Sequence, residues 1–392
     1  MLTSIAIILL LGLFMGWIFS KLKLPSLLGM IIVGILLGPH TWNLMDESIL
    51  AISADLRQIA LVIILTRAGL SLDIADLKKV GRPAVLMCFV PACIEIVGTI
   101  LFAPLLLNVT VLEAAIMGSV IAAVSPAVIV PRMIKLMEEG YGVKKSIPQL
   151  ILAGASVDDV FVIVIFTALT SFASVGTVSV MSFVQIPISI GLGIVLGAIV
   201  GFVLTKFFKK YHMRDSVKML IIISISFLLF EIQKRLEGIV PISGLLAIMS
   251  MGILLKQNYD VLASRLSVKY NKLWICAEIF LFVLVGATVD LQYAISAGVG
   301  AVVLILIALV FRMIGVAVSL IKTDLSMRER IFCMLSYTPK ATVQAAIGAI
   351  PLSMGLQCGN IVLTVAVLAI LITAPLGAIC VDQLYRKLLE KD

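Results

Sequence analysis

Residues 124–130 read VSPAVIV and residues 337–343 read YTPKATV. Each places a proline inside a long apolar stretch, Pro126 in one and Pro339 in the other, 213 residues apart. Proline removes an amide donor and clashes with the preceding turn, so it kinks or breaks a helix. At membrane depth such a break is tolerated where protein or water satisfies the freed backbone groups. A plain proline kink explains either site alone better than it explains a matched pair.

The match extends in both directions. LPSLLGMIIVGILLG (24–38) resembles VPISGLLAIMSMGILL (240–255), Pro25 answering Pro241 at an offset of 216. AGLSLDIADL (68–77) resembles GATVDLQYA (286–294), with Gly69 and Asp73 answering Gly286 and Asp290 at 217. Three matches in one order at nearly one offset read as an internal repeat. The apolar stretches that carry it lie at 3–20, 24–39, 52–72, 83–107, 111–136, 147–173, 180–205, 217–234, 239–255, 273–289, 293–321, 329–354 and 360–384. Most have the 17–25 residues expected of a spanning helix. They divide as six, one linker span (180–205) and six, and an odd linker turns the second half upside down. The expected fold is therefore an all-α polytopic membrane protein of about 13 transmembrane helices. It is an inverted 6+6 repeat with two broken crossing helices, Pro126 and Pro131 breaking span five and Pro339 span twelve. Secondary transporters use this architecture, with the substrate near the midplane at interrupted helices.

Composition agrees. The chain is 61% hydrophobic and 13% charged, with mean hydropathy +1.20, which excludes an ordinary soluble domain. The net charge of +8 does not point to nucleic acid, because its distribution follows the spans. Of 30 basic residues, 24 fall in alternate loops and at the C-terminal end, Lys21 and Lys23 first and Lys391 last. The opposite loops hold only Arg57, Lys234 and Arg235. By the positive-inside rule the basic side is cytoplasmic, placing the N-terminus outside and the C-terminus inside the cell membrane. The first segment lacks a basic n-region and reads as a retained helix rather than a cleaved leader. The six cysteines lie mostly in apolar spans without CxxC spacing, and His40 and His212 sit near loops, so neither type forms a metal site.

Five ionisable residues are read as lying well inside spans: Glu95, Asp158, Asp159, Arg312 and Lys340. Intramembrane charge marks function by default. Glu95 and Arg312 are 217 residues apart and so occupy equivalent places in the two halves, where they can form a structural ion pair. Asp158 and Asp159, in GASVDDV (154–160), have no counterpart; their offset positions fall near the apolar Leu371 and Ile372. Neighbours on a helix diverge by about 100°, so one aspartate can face water while the other accepts from Lys340 or from broken helix ends. A carboxylate there holds either a proton or a desolvated cation. Oxygen ligands for a hard monovalent cation are on offer from Asp159, Asp158, Ser156, Ser125 and unwound carbonyls. Lys340, after the break, neutralises a half-helix end and repels cations when the aspartates are protonated.

GASVDDV (154–160), AAVSPAVIVP (122–131), GLSLD (69–73) and YTPKATVQAAIG (337–348) together resemble the monovalent cation/proton antiporter superfamily. The last is most similar to the NHA branch of sodium/proton antiporters, as a bacterial homologue, and the resemblance covers essentially the whole chain. It implies the sodium/proton antiporter fold in a homodimer within the lipid bilayer. A core (80–175 and 292–392) would move like an elevator against a scaffold (1–79 and 217–291), joined by a linker span (180–210). The family's paired acids map onto Asp158 and Asp159, the second being the principal ligand, and its crossing helices onto the segments carrying Thr338, Pro339 and Lys340 and Pro126 and Pro131. Many members with two acids carry a lysine where this chain has Arg312, which leaves the partner of Asp158 open.

The function implied is Na⁺ or Li⁺ exchange for H⁺, by a transporter that is not an enzyme and needs no cofactor beyond the transported ions. The alternatives are K⁺/H⁺ exchange or sodium-coupled uptake of an organic anion on the same repeat fold. An intramembrane aspartyl protease also needs two buried aspartates, but they must face each other to share a proton, and adjacent residues on one helix do not.

Overall fold

The computed structural model describes residues 1–71, 81–175, 180–236, 240 and 242–391; the side chains at 156, 174, 175, 180–187, 190, 234 and 291–297 are outside that description. Asp73 and Pro241 of the repeat lie outside it too, as does the Ser156 side chain. Among the described residues the regular elements are helices joined by turns and loops, with one isolated antiparallel bridge between Tyr141 and Lys391. In chain order the helices are α1 (Leu2–Lys21), α2 (Ser26–Leu37), α3 (Glu47–Ala51), α4 (Ser53–Ser71), α5 (Arg82–Met87), α6 (Val90–Leu107), α7 (Val111–Ile121), α8 (Pro126–Glu139) and α9 (Ile147–Val175). There follow α10 (Val180–Lys210), α11 (Asp215–Arg235), α12 (Gly244–Asn258), α13 (Asp260–Ala287), α14 (Leu291–Ser319), α15 (Met327–Ser336), α16 (Thr342–Ile347), α17 (Ile350–Ser353) and α18 (Gly359–Leu388). Among the described residues, eight helical stretches are long and apolar enough to cross a membrane, and two shorter apolar ones are Ser26–Leu37 and Thr342–Ser353.

Two boundaries differ from expectation. The tenth span was expected to begin at 273, but α13 starts at Asp260. Leu262, Leu266 and Tyr270, spaced by four, are fully buried, so this polar stretch is an amphipathic helix that continues into the apolar one. Span four is split in two: α5 ends at Met87, and α6 restarts at Val90 with Pro91 in its first turn, where proline costs no hydrogen bond.

The repeat is also written in the helix caps. α7 opens with Thr110 and Glu113, and α15 with Ser326 and Glu329. Each pair forms a reciprocal capping box, and the boxes are 216 residues apart. Both broken spans therefore start the same way, with the acidic residue satisfying the orphan amide of the cap.

By contacts the chain divides into two units. One comprises the described residues of Met1–Ser53, Ala75–Leu169 and Leu281–Asp392; the other comprises those of Ala54–Ile74 and Thr170–Phe280. In the second, Gly193, Gly197 and Gly201 line one side of α10 at four-residue spacing and meet Ser243, Ala247 and Met251 of α12. Small residues let helix backbones approach closely where lipid supplies no hydrophobic drive.

In the first unit α6 and α14 pack side by side. Pro91 lies on Gly315, and the Phe311 ring fills the space over Gly98. Glu95 sits between those two contacts on α6 and Arg312 beside them on α14, so the packing itself sets the two charges face to face.

Gly286, at the end of α13, meets the backbone of α2, where a Cβ would collide with the Ile31 carbonyl. Gly286→Ala should therefore force the helices apart and cost about 1–3 kcal/mol. Gly191→Ala meets no atom within 4 Å and serves as the control. Thermal melting of the purified variants in detergent should lower the midpoint for the first and leave the second at wild type.

Candidate functional site

Four helices converge where the two broken spans cross. The chain is unwound at Ala123–Ser125, between α7 and α8, and at Thr338–Ala341, between α15 and α16. The two unwound strands touch: Ser125 N–H donates to the Pro339 carbonyl at 2.8 Å. Pro126 takes the first position of α8, where its missing amide costs nothing. Pro131 does not break the chain, and α8 runs through it to Glu139. Val128, Ile129, Met133 and Leu136 bury one face of α8 and hold it helical despite the lost bond.

A broken helix leaves carbonyls without partners. Those at the end of α7 are taken by cations and an amide. Lys340 Nζ donates to the Ile121 carbonyl at 2.5 Å, Arg312 Nη1 donates to the Ala122 carbonyl, and Gln344 Nε2 donates to the Ala123 carbonyl at 2.8 Å. At the end of α15, Arg312 Nε donates to the Tyr337 carbonyl at 2.6 Å, and Thr338 Oγ1 bonds back to Leu335 at 2.8 Å. Positive groups at helix C-termini oppose the macrodipole. Arg312 thus ties both broken ends together, with its guanidinium 5.2 Å above the Tyr337 ring.

The same cations meet the acids. Glu95 Oε2 is 2.9 Å from Arg312 Nη1, and its Oε1 is 2.6 Å from Lys340 Nζ. Asp158 Oδ2 accepts from Arg312 Nη2 at 2.7 Å and from the Val124 amide at 2.8 Å. All four side chains are fully buried. The partner of Asp158, left open by the sequence, is Arg312. Lys340 lies on Glu95 and on the end of α7 rather than on an aspartate. The reason is reach: the Lys340 backbone is pinned by its amide to Thr373 Oγ1 of α18 at 2.9 Å, and the side chain extends toward α7.

Asp159 differs. It is half-buried and, among the described residues, in no ion pair; its Oδ1, like Asp158 Oδ1, is shielded from solvent without a hydrogen-bond partner. Three carboxylates therefore share two cations. Glu95 and Asp158 are matched by Arg312 and Lys340, and the charge of Asp159 is left over. Ser125 is buried, and its Oγ lies 3.5 Å from Thr342 Oγ1.

Gln344, Thr373 and Tyr337 belong to this cluster and were not singled out in the sequence. Tyr337 and Gln344 lie within YTPKATVQAAIG, where a polar amide in an apolar half-helix is a usable signal. Thr373 carries none, since threonine is common in membrane helices. Gly154, one turn before Asp158, packs against the Tyr337 hydroxyl, which donates to the Met87 carbonyl at 3.2 Å.

A family model described as sodium/hydrogen exchanger, transmembrane, matches residues 5–387. Sodium/hydrogen exchanger 9B2 of Homo sapiens is 32% identical over 393 residues, covering 94% of this chain and 70% of its own length. Sodium/hydrogen exchanger 9B1 of Homo sapiens is also 32% identical, with 94% and 73% covered. The solved structure of the sodium proton antiporter MjNhaP1 from Methanocaldococcus jannaschii superposes with a TM-score of 0.86 at 21% identity, covering 99% of this chain and 98% of that one. With a matched family model over nearly its full length and an antiporter fold, the chain belongs to the transmembrane sodium/hydrogen exchanger family.

Proposed function

We propose that the protein exchanges Na⁺ or Li⁺ for H⁺ across the cell membrane, the two ions competing for Asp159. The observation that carries this is the charge imbalance at the crossing. Asp158 is held through its Oδ2 by Arg312 and Val124, whereas among the described residues Asp159 has no ion pair, and its Oδ1, like Asp158 Oδ1, has no donor. A half-buried carboxylate without a counter-charge is costly. A proton or a desolvated cation relieves that cost equally well, and neither can bind while the other is present.

The imbalance also sets the charge carried. With Asp159 loaded the cluster is neutral, and with it empty the cluster holds one negative charge. One Na⁺ therefore replaces one H⁺, and the exchange is electroneutral. Asp158 serves as a fixed wall of the site, its Oδ1 lending an oxygen to a dehydrated cation, with Ser156 and Ser125 as further oxygen donors. The unwound segments let the crossing helices present carbonyls and amide ends at this depth.

In this reading the core helices around the crossing carry the loaded site past a scaffold in an elevator movement, the chain works as a homodimer, and the basic loops face the cytoplasm. Exchange of K⁺ at the same carboxylate is the second reading, because nothing in the Asp158–Asp159 pair by itself selects ion size.

Asp159→Asn should abolish Na⁺-driven proton movement in proteoliposomes while the protein keeps its melting temperature; wild-type flux in that variant would remove Asp159 from the site. In the wild type the apparent KM for Na⁺ should rise as pH falls, by about tenfold per unit once the site is mostly protonated. A KM independent of pH would mean that the two ions do not compete. Arg312→Ala leaves Asp158 without a counter-charge and Glu95 with Lys340 alone, and should cost about 3–5 kcal/mol, read as a large drop in thermal midpoint. Arg312→Lys keeps the charge but cannot fork between two carboxylates, so it should recover only part of that stability.

A further inference from the structure

The helix bearing the aspartates, α9, forms a hairpin with the crossing half-helix α8. At the site end the hairpin is fastened by Val124 N–H on Asp158, 2.8 Å apart. At the far end it is fastened by a segment remote in sequence. Gly142 N–H, in the turn between α8 and α9, donates to the Glu390 carbonyl at 2.9 Å, and Tyr141 forms an antiparallel bridge with Lys391. Leu389 is 5% exposed and packs in one apolar cluster with Leu136 of α8 and Ile147, Leu150 and Ile151 of α9. Gly142 has φ +67°, and a Cβ there would already crowd Leu389 Cδ1 at 3.3 Å. The Tyr385 hydroxyl donates to Glu139 Oε2 at 2.7 Å and accepts from Arg386 Nε at 2.9 Å, while its ring meets Tyr141 edge-on at 5.0 Å. Arg132 of α8 pairs with Asp382 of α18 at 3.1 Å.

We propose that Tyr385–Lys391 is a positioning strap for the aspartate hairpin, a role that rests on the ion site proposed above. Two helices joined only by a glycine-rich turn can slide along one another. The strap grips the last turn of α8, the turn itself and the first turn of α9 at once, and so sets their axial offset. That offset decides whether Val124 N–H reaches Asp158, and through Asp158 it fixes where Asp159 stands. Cation binding needs several oxygens at set distances, whereas a proton needs only one. Loosening the strap therefore weakens Na⁺ binding more than it slows turnover.

Leu389→Asp puts a charge into the apolar cluster and releases the strap without touching the ion site. In proteoliposomes it should raise the apparent KM for Na⁺ at least fivefold, with maximal flux within twofold of wild type, and Leu389→Met should behave as wild type. Hydrogen exchange read by mass spectrometry gives a signal that does not depend on transport: peptides covering 122–126 should exchange faster in Leu389→Asp. If that variant does not yield folded protein, Tyr385→Phe, which removes the hydroxyl that donates to Glu139 and accepts from Arg386, should shift KM in the same direction at least twofold. An unchanged KM with unchanged exchange at 122–126, or a loss confined to maximal flux, overturns the strap. Faster exchange at 122–126 in a protein whose wild type moves no Na⁺ would keep the strap and overturn the exchanger reading.

Discussion

The structure depends on how one guanidinium is shared. Arg312 reaches Glu95, Asp158, the Ala122 carbonyl and the Tyr337 carbonyl from a single fully buried position. Two of these partners are acids and two are the raw ends of broken helices. An arginine fits because its planar fork offers five donors in fixed directions. The breaks at the crossing are tolerable because this group and Lys340 occupy the carbonyls that the breaks expose. The acids are tolerable because the same two cations neutralise them. Opening the helices and burying the charges are thus one solution and not two separate costs.

From that arrangement the reactive group follows by subtraction. Glu95 and Asp158 are structural in the electrostatic sense: each has a fixed counter-charge that no transported ion needs to replace. Asp159 has none among the described residues, and in the proposed exchange it is the group whose occupancy changes during a cycle. The paired aspartates therefore divide their work. The first holds the unwound strand through Val124 and pairs with Arg312, and in the proposed exchange the second takes the ion. Adjacent positions on one helix make this division natural, because their side chains diverge.

Much of this was legible in the chain. The repeat offset alone places Glu95 opposite Arg312, because a pseudo-twofold axis makes equivalent positions neighbours. The breaks at Pro126 and Pro339 followed from proline chemistry. Other parts were hidden for identifiable reasons. Pro131 is chemically the same residue as Pro126, but a buried face on α8 outweighs one lost hydrogen bond. Which cation pairs with Asp158 depends on side-chain reach across 154 residues of sequence, and pattern does not encode reach. Thr373, which holds the Lys340 backbone, looks like any other threonine in an apolar helix. The capping boxes at Thr110–Glu113 and Ser326–Glu329 were readable signals of the same repeat, visible as S/T-x-x-E ahead of an apolar run.

The central claim is that a single uncompensated carboxylate carries the exchange, so that one cation replaces one proton without net charge movement. The direct test is Na⁺-driven proton flux in proteoliposomes with the membrane potential clamped by potassium and valinomycin. The account predicts the same flux at zero, at positive and at negative potential. A flux that accelerates with one sign of potential and slows with the other would mean that a second charge travels, and that Asp158 or Lys340 titrates during the cycle instead of standing as fixed structure.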